Sequence, residues 1–281
     1  MRTNNPMQLK AYIKKMAAEK NISAQLIMQN YMMERLLERI SVSKYQSNLI
    51  LKGGFLISAI VGLDTRATMD LDTTIKGFDV SHDTIRRIFE EISSIPIEDD
   101  VKFEVLNTSD IREGDDYPGI RVSLRANYPP LAVPLSVDVT TGDKITPREI
   151  EYSFKLLFDD RTIIIMAYNL ETVLAEKLET VITRGIANTR PRDFYDIYIL
   201  YQLRGHECDK SVLKSALVET ASKRKSISIM SNYKTAMENI AASEQLKGFW
   251  RKYQTDFDYA QDIAFTDVCH TISQIFKEIG F

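Results

Sequence analysis

The spacing of apolar positions changes twice along the chain. Residues 7–20 and 22–41 carry a helical period. In the second stretch Leu26, Met33, Leu36, Leu37 and Ile40 fall on one side, and Ser23 stands where a side-chain oxygen can cap the first turn. Asn48 to Lys52 then reads as a short strand, ends in Gly53-Gly54 and leads into a compact apolar helix from Phe55 to Val61. Between Met69 and Ile75 polar and apolar residues alternate as in a strand, and His82 to Ser94 is helical with Ile85, Ile88, Phe89 and Ile92 on one side. Strands are predicted over 101–106, 119–126, 133–139, 152–158 and 162–166, punctuated by Pro118, Gly119, Pro129, Pro130, Pro134 and Gly142. From Leu170 the helical period returns, with helices predicted over 170–184, 191–204, 210–224, 232–241, 243–254 and 258–278. This order predicts an α+β chain: a mixed-sheet domain with N-terminal helices over 1–168 and a helical domain over 169–281.

Composition narrows the class. The 281 residues suffice for one large domain or two modest ones, and 44% hydrophobic content is ordinary for a globular protein. Lys and Arg number 36 against 39 Asp and Glu, a net charge of −3, which excludes an all-over basic coat but not a local basic groove. No run approaches the roughly 18 apolar residues of a membrane span. The polar Met1 to Gln8 segment predicts no signal peptide. Cys208 and Cys269 form neither a metal pair nor a disulfide framework, and His82, His206 and His270 lack metal-ligand spacing. A soluble cytoplasmic protein is expected.

The candidate chemistry begins with two carboxylates. Side chains i and i+2 of a strand share a face, so Asp70 and Asp72 would project side by side, roughly 6–7 Å apart. At an effective dielectric near 20 they would repel by roughly 2–2.5 kcal/mol, which a hard divalent cation such as Mg²⁺ relieves. The bland reading is two solvent-facing residues of an exposed sheet. Gly53-Gly54 after a strand favours the functional one, because glycines let backbone N–H groups approach a phosphate. Arg66 and Thr68, just before the acidic pair, join as candidate nucleotide-binding residues. Asp138 in Leu135-Ser-Val-Asp-Val139 is either a third metal ligand or a surface residue at a strand end, and Asp143 reads as a turn residue.

Two later helices carry charges on their apolar sides. Leu170, Val173, Leu174, Leu178, Val181 and Ile182 form one arc at 100° per residue, and Lys177 falls inside it with Arg184 nearly in line. Glu176 and Glu179 fall outside and read as solvated. Lys177 either snorkels from the arc edge or meets a partner. Asp193 lies between Ile197 and Leu200 on the next helix, as a cap or as that partner; Asp196 lies to one side and reads as surface. Lys177 and Asp193 are expected to border an interdomain cleft.

Leu51-Lys-Gly-Gly-Phe-Leu-Ile57, Arg66-Ala-Thr-Met-Asp-Leu-Asp72, Glu176-Lys-Leu178 with Arg184, and Arg192-Asp-Phe-Tyr-Asp-Ile-Tyr198 together resemble the successive motifs of the AbiEii/AbiGii toxins. These are nucleotidyltransferase-like toxins of bacterial abortive-infection toxin–antitoxin systems, a phage defence. The resemblance spans roughly residues 22–203 and implies a DNA polymerase β-like domain plus a helical domain. It implies that Gly53 and Gly54 make the phosphate-binding turn, that Asp70 and Asp72 hold metal, and that Lys177 and Asp193 serve catalysis. Many nucleotidyltransferases carry Gly-Ser where this chain has Gly53-Gly54, although Gly-Gly is usual in this family.

The implied reaction is Mg²⁺-dependent transfer of a nucleotidyl group from an NTP to an RNA acceptor, the 3′ end of tRNA, which stops growth. Asp70 and Asp72, with or without Asp138, would hold the metal; Lys177, aided by Arg66 or Arg184, would neutralise phosphate charge. Asp193 would either accept the acceptor proton or orient Lys177. Asp70→Ala and Lys177→Ala are expected to abolish activity without unfolding the chain. Candidate RNA-binding cations are Lys10, Lys14 and Lys15, then Arg190 and Arg192, then Lys223-Arg-Lys225. The alternatives are a transferase acting on a protein or small molecule, and a catalytically silent nucleotide-binding regulatory module. A cognate antitoxin that need not bind the chain is expected from the resemblance alone.

Overall fold

The structure is a computed structural model that describes residues 5–111 and 119–281, so Pro118 lies outside the described residues. The chain divides into two compact units: Met1–Asp143 with Glu149–Tyr168, and Lys144–Arg148 with Asn169–Phe281.

The first unit opens with α1 (Pro6–Lys20) and α2 (Ala24–Ser41), the latter capped by Ser23, whose hydroxyl accepts from the Leu26 amide at 3.1 Å. Next come β1 (Leu49–Lys52), α3 (Gly53–Val61), β2 (Leu71–Ile75) and α4 (His82–Ser93). Five strands follow: β3 (Lys102–Asp110), β4 (Gly119–Tyr128), β5 (Leu131–Thr140), β6 (Ile150–Lys155) and β7 (Thr162–Ala167). They form one mixed sheet in the order β3-β4-β5-β2-β1-β7-β6. Strand β2 runs antiparallel to β1 and parallel to β5, so a short acidic strand lies at the centre of the sheet.

One face of that sheet is the core. Leu71, Ile120, Val122, Val137 and Val139 are buried, as are Ile85, Ile88, Phe89 and Ile92 of α4. Helix α2 is buried along most of its length, charged residues included: Glu34, Arg35, Glu38 and Arg39 are all below 6% exposed. Such burial is tolerated because each of these side chains meets a partner. Arg39 donates to both Asp99 oxygens at 2.7 and 2.9 Å, Arg35 pairs with Glu38 at 2.9 Å, and both Glu34 oxygens accept from the Leu157 amide at 2.8 Å.

Several strand boundaries differ from expectation, β3 running on to Asp110 rather than ending at 106. β6 ends at Lys155 rather than 158, because the chain turns at Phe158 (φ 57°) while Glu34 takes the Leu157 amide from any ladder. β2 begins at Leu71 rather than Met69, so Asp70 sits at its entrance.

The second unit is helical: α5 (Leu170–Arg184), α6 (Pro191–Arg204), α7 (Lys210–Lys223), the short α8 (Ile227–Met230), α9 (Tyr233–Ala242), α10 (Glu244–Asp256) and α11 (Phe265–Glu278). Asn169 caps α5, and its side-chain amide donates to the Thr146 and Arg148 carbonyls at 2.8 and 3.0 Å, which ties in the 144–148 segment. The predicted helix over 258–278 is broken, and α11 starts only at Phe265. The cause lies in α10: Trp250 and Gln254 both donate to the Ile263 carbonyl, at 2.9 and 3.0 Å, claiming an acceptor that a continuous helix would need. Among the described residues no helix is long and apolar enough to cross a membrane.

Candidate functional site

The glycine turn and the acidic strand interlock. Gly53 follows β1 with φ +64°, and a Cβ there would lie 2.1 Å from Asp72 Oδ2. Only glycine meets both demands. Lys52, the N-cap of α3, gives no side-chain cap, so the first amides of the helix keep their anion-binding capacity. One of them, Gly54 N–H, points to Asp72 Oδ2 at 3.3 Å. A Cβ on Gly54 would lie 3.0 Å from Thr68 Oγ1 and 3.1 Å from Arg66 Nη2, so these two side chains back the turn. Both are buried: Arg66 donates to the Ala67 carbonyl, and the Thr68 carbonyl accepts from Asn30 at 2.9 Å.

Strand register then sets a row of charges on the side of the sheet away from the core. Arg121 pairs with Asp138, Asp138 with Asp72, and Asp72 with Lys52, so side chains of four neighbouring strands share one face. Asp70, two residues before Asp72, is exposed, whereas Asp72 is half-buried. Both Asp138 oxygens are taken by Arg121, at 2.7 and 2.8 Å. Those hydrogen bonds and the Asp138 charge hold the guanidinium pKa above its ordinary value, with Asp70 and Asp72 adding to the effect. Among the described residues no group of three His, Cys, Asp or Glu side chains is placed to hold a metal. Asp138, weighed in the sequence as a third metal ligand or a surface residue, stands in register with Asp72 and has both oxygens on the Arg121 guanidinium.

In the sequence Lys52 stands out only as the end of a strand and a member of the first motif, and Asp143 reads as a turn residue. The structure pairs them: Lys52 Nζ donates to Asp143 Oδ2 at 2.5 Å and to Thr140 Oγ1 at 2.7 Å. Burial pushes the Asp143 carboxyl up, but the Lys52 charge and hydrogen bonds from Lys52, Thr140 and Tyr168 outweigh it and hold the pKa below its ordinary value.

In the helical unit Lys177 is clamped between two carboxylates of α6, Asp193 Oδ1 at 2.6 Å and Asp196 Oδ2 at 2.9 Å. Burial would lower its pKa, yet the Asp196 and Asp193 charges and hydrogen bonds raise it above the ordinary value, so the ammonium stays charged. Asp193 does not cap α6; Arg190 holds that position without a side-chain bond. Asp193 Oδ2 is buried without a hydrogen-bond partner. Asp196, read as surface, is 0% exposed; its spacing of three from Asp193 puts both on one helical face. Glu179 also corrects the reading: it is buried, accepting from Arg224 at 2.5 Å and Ser226 at 2.7 Å. Arg224 is ion-paired yet exposed, and Lys10, Lys14, Lys15, Arg190, Arg192, Lys223 and Lys225 are exposed as well. Arg184 is half-buried at the end of α5.

The family profile described as nucleotidyl transferase AbiEii toxin, Type IV TA system, matches residues 35–276. The chain belongs to the AbiEii family. As an AbiEii member it is a nucleotidyltransferase of a toxin–antitoxin system, and both motif sets described above lie inside the matched region. No curated protein matches it. Among solved structures it is similar to a putative nucleotidyltransferase from H. pylori, at 15% identity and TM-score 0.49, covering 92% of this chain and 98% of that one. JHP933 from Helicobacter pylori follows at 13% and 0.48, covering 92% and 94%. An antigenic nucleotidyltransferase-like protein from Paracoccidioides brasiliensis stands at 16% and 0.41, covering 72% and 93%.

Proposed function

We propose that this AbiEii chain transfers a nucleotidyl group from an NTP to an RNA acceptor, the 3′ end of tRNA, and thereby arrests growth in abortive infection. The observation that carries the reading is the interlock of the Gly53–Gly54 turn with Asp72 at the start of α3. It puts a phosphate-binding helix N-terminus and a metal-binding carboxylate within one hydrogen bond of each other.

Asp70 and Asp72 are the residues that would hold Mg²⁺: two hard oxygen donors two residues apart at the entrance of β2, one exposed and one half-buried. Bound there, the ion supplies positive charge to the triphosphate and favours ionisation of the acceptor hydroxyl. Gly53 and Gly54 bring backbone N–H groups to the phosphates, and Arg66 and Thr68 hold that turn in place. Lys177 supplies an ammonium that its two aspartates keep charged. Asp193 has one oxygen on Lys177 and a spare one, Oδ2, suited to receive the proton released by the acceptor. The family motifs, rather than a distance, assign Lys177 and Asp193 to this reaction. NTP and tRNA as substrates put the protein in the cytoplasm, and the cognate antitoxin need not bind it.

The experiment incubates the purified chain with Mg²⁺, each α-labelled NTP, total RNA and a protein lysate. Label in tRNA that disappears in Asp70→Asn supports the reading. Label in protein, or in a small molecule, replaces the acceptor; no label in any arm indicates a silent nucleotide-binding module. Lys177→Ala is a poorer probe than the sequence suggests. It strands Asp196 buried without its counter-charge, a loss of about 3–5 kcal/mol that threatens the fold itself.

A further inference from the structure

Asp72 and Asp138 share the outward face of the sheet, with Asp70 at the entrance of β2, yet the surroundings of these carboxylates differ in kind. Asp138 stands in register with Asp72 on the neighbouring parallel strand, roughly 4.8 Å away along the hydrogen-bonding direction. On its other side it stands in register with Arg121, which takes both of its oxygens in a parallel two-bond fork at 2.7 and 2.8 Å. A guanidinium is permanently charged, and its planar fork matches a carboxylate better than any other side chain does. The Asp138 side chain is 14% exposed, so water is a poor substitute for that fork. A cation recruiting Asp138 would have to break both bonds and shed its own tightly held water.

We propose that Asp138 is the anchor of Arg121 and not a metal ligand. The guanidinium stands where a second cation would sit, and the free protein binds a single divalent ion through Asp70 and Asp72. Arg121 then contributes the fixed positive charge at the edge of the site, and because Asp138 orients it, Asp138 acts as a positioning residue. The inference rests on the proposed role of Asp70 and Asp72 in holding Mg²⁺.

The test is titration of the full chain with Mn²⁺ in the absence of nucleotide, reading free Mn²⁺ by electron paramagnetic resonance. The wild type is expected to bind one ion, and Asp72→Asn to lose it. The double variant Arg121→Gln/Asp138→Asn is expected to keep one ion with affinity within about threefold of wild type, whereas Arg121→Gln alone exposes Asp138 and tightens binding by about tenfold or admits a second ion. Circular dichroism melting of each variant separates loss of fold from loss of metal, and the wild-type stoichiometry stands without any variant. Two ions on the wild type, or a folded double variant that binds none, overturns this inference and leaves the Asp70–Asp72 metal reading intact. A wild type that binds no Mn²⁺ overturns both.

Discussion

Gly53 and Glu34 show how single residues bear on stability and function in opposite ways. Gly53 combines a left-handed backbone with a closed space, so Gly53→Ala is expected to cost about 1–2 kcal/mol from the backbone alone. It also pushes Asp72 off its position, so nucleotidyl transfer should fall further than the shift in urea midpoint accounts for. Glu34 is buried on α2, and burial lifts its pKa from 4.5 to about 8 against the opposing pull of Arg35. An acid raised in the fold contributes stability that is full below the unfolded value and lost as pH rises through the folded one. Wild-type melting temperature should therefore decline between pH 4.5 and about 8 relative to Glu34→Gln, which keeps an acceptor for Leu157 but does not titrate. Several residues were misread from sequence for one physical reason. Asp196 and Glu179 are buried and Asp143 half-buried, each against a counter-charge that arrives from elsewhere, for Asp143 from Lys52, 91 positions away. A helical wheel or a turn motif carries no trace of such a partner. The strand position of Asp72 and the turn at Gly53-Gly54 were legible because strand alternation and glycine geometry are local.

Elements were readable where one periodicity ran unbroken. α4 carries a clean apolar face, α2 and α5 keep an apolar arc despite the buried charges within them, and each takes a side-chain cap, from Ser81, Ser23 and Asn169 respectively. Boundaries failed where side chains from another element took backbone groups, as Trp250 and Gln254 do at Ile263. Asn169 does two tasks, accepting from the Thr172 amide at 2.7 Å and donating to two carbonyls of the 144–148 segment. Asn169→Ala should cost about 1–2 kcal/mol for the cap, with a further loss for the stranded carbonyls. Amide hydrogen exchange should then quicken in the first turn of α5 and in 144–148 together.

For the molecule as a whole, the two thiols are convenient reporters. Burial pushes Cys208 up to about 11 and Cys269, with some relief from Lys247, up to about 12, so neither is a thiolate at neutral pH. Ellman's reagent at pH 7.5 is expected to find no rapidly reacting thiol in the folded protein and both after denaturation. Early reaction of one thiol would reveal partial opening of the helical unit, to which both belong. That unit also includes Lys144–Arg148, flanked on either side by sequence of the sheet unit, so the polypeptide passes from one unit to the other after Asp143, Arg148 and Tyr168. A single protease nick therefore cannot yield two intact halves. A gene fragment beginning at Asn169 encodes helices deprived of the carbonyls that its first side chain is built to grip, and severing the unit cleanly requires carrying those five residues across by circular permutation or a linker.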